Sequence, residues 1–260
     1  AWYDQNHRPL PWRGMCDPYP IWVSEIMSQQ TRIEVVVGYW ERWMERFPTL
    51  EVLAAADVSD VLAVWQGLGY YRRARLLQEG ARWVLGHGVP TCAKDWESVP
   101  GVGPYTAGAI ASICFGEASP AVDGNLMRVY ARLQADGERD GLLARTRQWA
   151  RQQIDPGRPG EWNQALMELG ATVCRVREAK CSVCPLRTAC AGTAEGQPMD
   201  YPAPNEKARP KELEQTIFLV EQDGAFAVRQ IPAGKWWEGL WEFPNVWEDI
   251  KLVGDEVFAE

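Results

Sequence analysis

Over roughly the first 190 residues, apolar positions recur at helical spacing and are cut at short intervals by Pro and Gly. Ile21, Trp22, Ile26, Met27 and Ile33 form one stripe, residues 35–47 carry an aromatic-rich one, and Val58, Val61, Leu62 and Trp65 form a third. Short helices joined by tight loops predict an all-α bundle. Residues 106–115 depart from the amphipathic pattern, being small and apolar on every side (Ala107, Gly108, Ala109, Ile110, Ala111). A helix with no polar face has to be buried all round, so this one is predicted to be the centre of the fold. The pattern changes after Cys190. Residues 193–213 are rich in Pro, Gly, Ala, Lys and Glu with few apolar anchors, and read as a linker. Beyond it, residues 216–220 and 225–228 flank Asp223-Gly224, which predicts two strands joined by a tight turn. So short a remainder is expected to be a truncated β-rich domain, and a start at Ala1-Trp2-Tyr3 without Met likewise reads as a trimmed fragment.

Composition narrows the class. With 46% hydrophobic and 24% charged residues over 260 positions, the chain is neither disordered nor collagen-like. The longest uncharged run, residues 99–116, is broken by Pro100, Pro104 and glycines, so no membrane span is expected. Residues 1–13 are polar, so no signal peptide is expected and the protein reads as not secreted. A net charge of −8 argues against a nucleic-acid partner until its distribution is considered. Residues 1–200 carry 21 Lys and Arg against 23 Asp and Glu, whereas residues 201–260 carry 6 against 12. The acidity is concentrated at the C-terminal end, which leaves the larger part free to hold an anion locally.

Four of the seven cysteines, Cys174, Cys181, Cys184 and Cys190, are spaced C-x6-C-x2-C-x5-C. Such clustering points to metal in a reducing compartment rather than to disulfides. Four thiolates suit a [4Fe-4S] cluster or a structural zinc, and residue types alone do not decide between them. Arg175, Arg177, Lys180 and Arg187 give the same loop a positive face.

Two glycine turns and two carboxylates complete the candidate chemistry. Val99-Pro100-Gly101-Val102-Gly103-Pro104 runs straight into the central helix, where the amides of Gly101, Val102 and Gly103 and the helix N-terminus can hold a phosphate. A purely structural turn explains the same residues equally well. Gly67-Leu68-Gly69-Tyr70-Tyr71 precedes Arg72, Arg73 and Arg75, an apolar tip beside a basic run that suits a loop wedging into a duplex. Glu25 lies at the edge of an apolar helix face, where desolvation would raise its pKa, although a solvated helix edge is the ordinary alternative. Asp123 precedes the stripe Leu126, Val129, Tyr130 and Leu133, and its ordinary role there is an N-cap. Two carboxylates in one cleft can cleave a glycosidic bond, one as acid and one supporting the sugar cation.

These residues together resemble the helix-hairpin-helix DNA glycosylases that carry an iron–sulfur cluster, and most closely the adenine DNA glycosylases of the MutY type. The motifs that carry the resemblance are Leu10-Pro11-Trp12-Arg13, Trp22-Val23-Ser24-Glu25, Gln29-Gln30-Thr31, the two glycine turns, Val122-Asp123-Gly124-Asn125 and the four cysteines. Gly239-Leu240-Trp241-Glu242-Phe243-Pro244 is similar to the start of the MutT-like (Nudix-like) domain such enzymes append. The resemblance implies a glycosylase region over 1–192, with a six-helix barrel at about 14–122 and a cluster domain from 1–13 and 123–192, then a linker at 193–213 and a partial MutT-like α+β piece at 214–260.

It further implies a [4Fe-4S] cofactor on Cys174, Cys181, Cys184 and Cys190, and a monomer acting on double-stranded DNA with adenine opposite 8-oxoguanine or guanine. Such an enzyme works in the cytoplasm on a bacterial nucleoid, or in a nucleus. By the same resemblance Glu25 protonates the flipped adenine, Asp123 stabilises or traps the sugar cation, and Asn125 and Tyr105 complete the site. Trp12 and Arg13 border the adenine pocket, while Gln30, Thr31, Leu68, Gly69 and Tyr70 probe the opposite base. Endonuclease III-like enzymes, the nearest alternative, place a lyase Lys where this chain has Tyr105. A phenol forms no Schiff base, which favours a monofunctional glycosylase. A non-catalytic cluster-bearing DNA-binding module is the alternative from a different class. Nucleotide hydrolysis is disfavoured, because no G-x5-E…R-E-x2-E-E helix is present to gather Mg²⁺.

Overall fold

The structure, a computed structural model, describes residues 2–204, 215–232, 234–235 and 239–247. The chain divides into two compact units, Ala1–Asn205 and Glu206–Glu260. The first is helical, with α1 (Trp2–Asn6), α2 (Pro18–Ser28), α3 (Ile33–Arg46), α4 (Leu50–Ala55), α5 (Val58–Trp65) and α6 (Arg72–His87). There follow α7 (Ala93–Trp96), α8 (Pro104–Phe115), α9 (Gly124–Gln134), α10 (Leu142–Gln153), α11 (Pro159–Thr172) and α12 (Ala191–Ala194). Side chains set several of these starts: Asp17 caps α2 by accepting from the Tyr19 amide, and Thr49 caps α4 by accepting from that of Val52. The first apolar stripe is not continuous. Gln30 has a left-handed φ of 57°, which ends α2, so Ile33 opens α3 instead of closing the preceding stripe.

The larger core is built from tryptophans. Trp22 meets Trp96 edge-on at 5.5 Å, and Trp43 meets Trp65 at 5.4 Å, all four fully buried. Their neighbour Tyr19 donates its hydroxyl to the Phe47 carbonyl at 2.7 Å and accepts from Trp43 Nε1 at 3.1 Å. As the sequence predicts, α8 lies at the centre, buried from Thr106 through Ser112 and packed against α2, α7 and α11. Glycines permit that approach: a Cβ on Gly108 would lie 2.7 Å from the Pro120 carbonyl oxygen, and one on Gly160 of α11 would lie 2.8 Å from that of Ser112. A smaller core of Val122, Leu126, Val129, Ala150, Leu166, Leu169 and Val173 joins α9, α10 and α11.

The stretch read as a linker is folded where it begins. The backbone at Gly192 passes so close to α9 that a Cβ there would sit 2.7 Å from the Arg132 carbonyl oxygen, and Arg132 Nε donates to the Tyr201 carbonyl at 3.2 Å. These anchors are a glycine and a buried arginine rather than an apolar stripe, so periodicity does not reveal them. Residues 205–214, which include the rest of the predicted linker, lie outside the described residues.

In the second unit three antiparallel pairs form: β1 (Gln215–Ile217) with β6 (Asn245–Trp247), β2 (Glu221–Gln222) with β3 (Ala225–Phe226), and β4 (Arg229–Gln230) with β5 (Trp241–Glu242). The predicted turn forms at Asp223 (φ 53°) and Gly224 (φ 78°). The strand expected at 216–220 is divided, however: its first residues pair with β6, and the hairpin begins only at Glu221. Residues 248–260, the remainder of the expected partial domain, lie outside the described residues. Among the described residues no helix is long and apolar enough to cross a membrane.

Gly108→Ala should destabilise the helical unit by about 1–3 kcal/mol, the cost of inserting a methyl into a packed contact. Gly103→Ala should change little, since φ is −97° and no atom lies within 4 Å of the added carbon. Denaturant unfolding of both variants checks this, and equal effects would contradict the packing assigned to α8.

Candidate active site and nucleic-acid interface

Glu25 projects from α2 toward the first turn of α8, where the Tyr105 hydroxyl donates to its Oε2 at 2.7 Å. The same hydroxyl lies 3.5 Å from Met167 Sδ on α11. Burial raises the pKa of Glu25, the Asp123 carboxylate adds to the rise, and the Tyr105 hydrogen bond and the Arg13 charge oppose it. Tyr105 is held well above the usual phenol range by burial and by the Glu25 and Asp123 charges, so it stays a neutral donor.

Arg13 is near enough to influence Glu25, yet it is bound elsewhere. Its Nη2 donates to Glu168 Oε2 at 3.1 Å and its Nη1 to Gln164 Oε1. Glu168 is fully buried and also accepts from Arg8 Nε at 2.6 Å, which ties the N-terminal segment to α11. Trp12, expected to border a pocket, is buried against Trp40 at 5.5 Å and belongs to the core.

Asp123 takes the N-cap role that the sequence offers and keeps its second oxygen on a side-chain partner. Its Oδ1 accepts from the Leu126 amide at 2.7 Å, the N-cap of α9, and its Oδ2 accepts from Asn125 Nδ2 at 2.7 Å. Asn125 is itself fixed, because its Oδ1 accepts from Arg128 Nη2 at 2.8 Å. Arg128 also donates to the Gly170 carbonyl at 2.9 Å and to the Cys174 carbonyl at 2.9 Å. A hydrogen-bonded path thus runs from Cys174 to the Asp123 carboxylate. Sequence reasoning missed Arg128, although it lies one helical turn beyond Asn125 and Gly124.

Two loops present exposed side chains. Gln30 is exposed, Thr31 half-buried, and Tyr70 is 62% exposed at the tip of the second loop, where Gly69 has a φ of 77°. Leu68 is not at that tip. It is 7% exposed and packs in the tryptophan-rich core, leaving Tyr70 as the aromatic tip. Nor is Arg73 free for phosphate, since its guanidinium points inward onto backbone carbonyls. Between α7 and α8, Gly101 takes a φ of 80° where a Cβ would meet Leu76 Cβ at 2.7 Å. Val102 is buried while Gly101 and Gly103 are exposed, so the hairpin is anchored by one side chain and open on its glycine side.

The four cysteines follow α11 within one loop, half-buried and free. Arg132, itself buried, donates Nη1 to Cys174 Sγ at 3.3 Å and accepts at its carbonyl from Cys190 Sγ at 3.3 Å. An all-sulfur donor set fits iron–sulfur chemistry. Among the described residues no three His, Cys, Asp or Glu side chains converge to hold a single metal ion.

Residues 23–151 match the model of the HhH-GPD superfamily base excision DNA repair proteins, which defines the class. The adenine DNA glycosylase of Homo sapiens is 38% identical over 95% of this chain and 57% of its own length. That of Buchnera aphidicola (subspecies Schizaphis graminum) is 31% identical over 97% of this chain and 75% of its own. The chain thus belongs to the adenine DNA glycosylase family within that superfamily, while spanning little more than half of the human relative. Among solved structures, a thermostable thymine-DNA glycosylase superposes with a TM-score of 0.68 at 26% identity, over 75% of this chain and 92% of that one.

The raised pKa of Glu25 has a stability consequence. Between the ordinary carboxylate range and the raised folded value, the folded chain keeps a proton that the unfolded chain releases. The stability gained from that proton is complete below the ordinary range and is lost as pH rises through the folded value. Glu25→Gln, neutral at every pH, should therefore gain stability relative to the parent over the range from the ordinary carboxylate pKa up to the raised folded value. Denaturant midpoints across that range would show a pH-independent difference if the pKa were not raised.

Proposed function

We propose that the chain excises adenine mispaired with 8-oxoguanine or guanine in double-stranded DNA, without efficient strand cleavage. The observation that carries this reading is the pairing of a neutral donor, Tyr105, with a carboxyl whose pKa is raised, Glu25, beside a second carboxylate fixed at Asp123. Excision needs the base out of the stack, and extrusion costs a few kcal/mol. Tyr70, exposed on its loop, is placed to offset that cost by filling the gap. The protonated Glu25 gives its proton to a ring nitrogen of adenine, the bond from that base to the sugar C1′ breaks, and its electron pair leaves with adenine. Asp123 Oδ2, held by Asn125, faces the resulting sugar cation. Water adds at C1′ and returns a proton to the Glu25 carboxylate. Arg8 and Arg13 act at a distance, through their ion pairs with Glu168 of α11.

The superfamily match, the adenine glycosylase relatives and the exposed glycine side of the hairpin support a DNA partner, with Gly101, Val102 and Gly103 on phosphate and Gln30, Thr31 and Tyr70 at the opposite base. Cys174, Cys181, Cys184 and Cys190 would hold a [4Fe-4S] cluster, which crosslinks the loop when bound and takes no part in the steps above. The reading keeps a barrel at about 14–122 with a cluster domain at 1–13 and 123–192. The β pairs within 215–247 and the Gly239 to Pro244 motif support the opening of a MutT-like domain after the linker.

Incubation with a duplex bearing adenine opposite 8-oxoguanine tests the activity: strand scission should follow only after alkali, and borohydride should trap little covalent complex. Scission without alkali would point to a lyase. Glu25→Gln and Asp123→Asn should each lower single-turnover excision by at least about 10³-fold, while duplex affinity, set mainly by phosphate contacts, persists. Parent-like rates in either variant would remove that residue from the mechanism.

A further inference from the structure

One guanidinium joins the two loops that carry the exposed side chains. Arg73, on the first turn of α6, donates through Nη1 to the carbonyls of Ile26 (2.9 Å), Met27 (3.1 Å) and Gln29 (2.6 Å). Through Nη2 it donates to the carbonyls of Leu68 (3.3 Å) and Gly69 (3.1 Å) and to Thr31 Oγ1 (3.4 Å). The first two acceptors belong to the last turn of α2, where a helix leaves carbonyls short of partners. The group also lies 5.2 Å from the centre of the Trp65 ring and 5.5 Å from that of Tyr70.

Two of its acceptors stand at strained positions. The Gln29 carbonyl belongs to the peptide before Gln30, and the Gly69 carbonyl to the peptide before Tyr70. Gln30 (φ 57°) and Tyr70 (φ 49°) are both non-glycine residues in the left-handed region, which such residues occupy only where the surroundings hold them. Both side chains are exposed. We propose that Arg73 is a positioning residue that sets specificity: by fixing the peptides before Gln30 and Tyr70, it holds the two side chains at a constant separation as one preformed reader of the base opposite adenine. The substrate in this proposal rests on the proposed glycosylase reading; the coupling of the loops does not. A lysine cannot replace the arginine, since a single ammonium has no planar fork with which to reach both loops.

Hydrogen exchange on the full chain without DNA tests the coupling. Arg73→Lys, and Arg73→Met as a second variant, should raise exchange on the order of tenfold at residues 28–32 and 67–71 together, with residues 106–112 unchanged. Faster exchange in one loop alone, or throughout the chain, would overturn the proposal. Single-turnover excision then reads specificity as the ratio of rates for adenine opposite 8-oxoguanine and opposite guanine. Arg73→Lys should lower that ratio, and should lower it no further in the Gln30→Ala/Tyr70→Ala background. An additional, independent loss in that background would show that Arg73 acts by another route. If the parent excises no adenine, the glycosylase reading fails while the exchange experiment still decides the coupling.

Discussion

The site depends on how closely backbone can approach helix α8. Only a helix without bulk lets the Pro120 carbonyl oxygen come within 2.7 Å of where a Cβ on Gly108 would be, and α11 makes the same demand through Gly160. With a larger residue at either point, the segment leading to Asp123 or the helix carrying Met167, Gln164 and Glu168 would move outward. The Tyr105 hydroxyl, on the first turn of α8, would then no longer meet both Glu25 and Met167. Packing of small residues thus brings together the elements that carry the two carboxyls.

Polar contacts then bear on the Glu25 proton. A guanidinium paired directly with Glu25 would oppose the rise that burial causes. Arg13 is the cation positioned to do so, and its donors are instead committed to Glu168 and Gln164. Tyr105 supplies a neutral hydrogen bond in place of a charge, so desolvation prevails at Glu25. Asp123 is held differently, capping α9 through Oδ1 and accepting from Asn125 through Oδ2. The two carboxyls are thereby held in unlike surroundings.

Much of this was legible in the chain. The small apolar run at 107–111 marks the central helix because no other position can hide it, and Asp123 before a helical stripe marks a cap in any fold. Glu25, Tyr105, Asp123 and Asn125 come together as the motifs imply. The burial of Leu68 and Trp12 was not legible, because an apolar residue in a loop looks the same whether it faces a ligand or the core, and only packing separates the two. Arg73 and Arg128 were missed as structural residues because their partners are mainly backbone carbonyls, which every residue carries and no motif records. The fold at 191–204 escaped notice for the same reason, since it rests on a glycine contact and on Arg132.

The central claim is that Glu25 retains a proton in the folded protein at a pH where ordinary carboxyls have lost theirs. Infrared difference spectra between the parent and Glu25→Gln, taken across a pH series, read that proton directly from the carbonyl stretch of a protonated carboxyl. The account predicts a band present in the parent, absent in the variant, and fading only above the ordinary carboxylate range. A band that fades within that range, or that persists in Glu25→Gln, would contradict it.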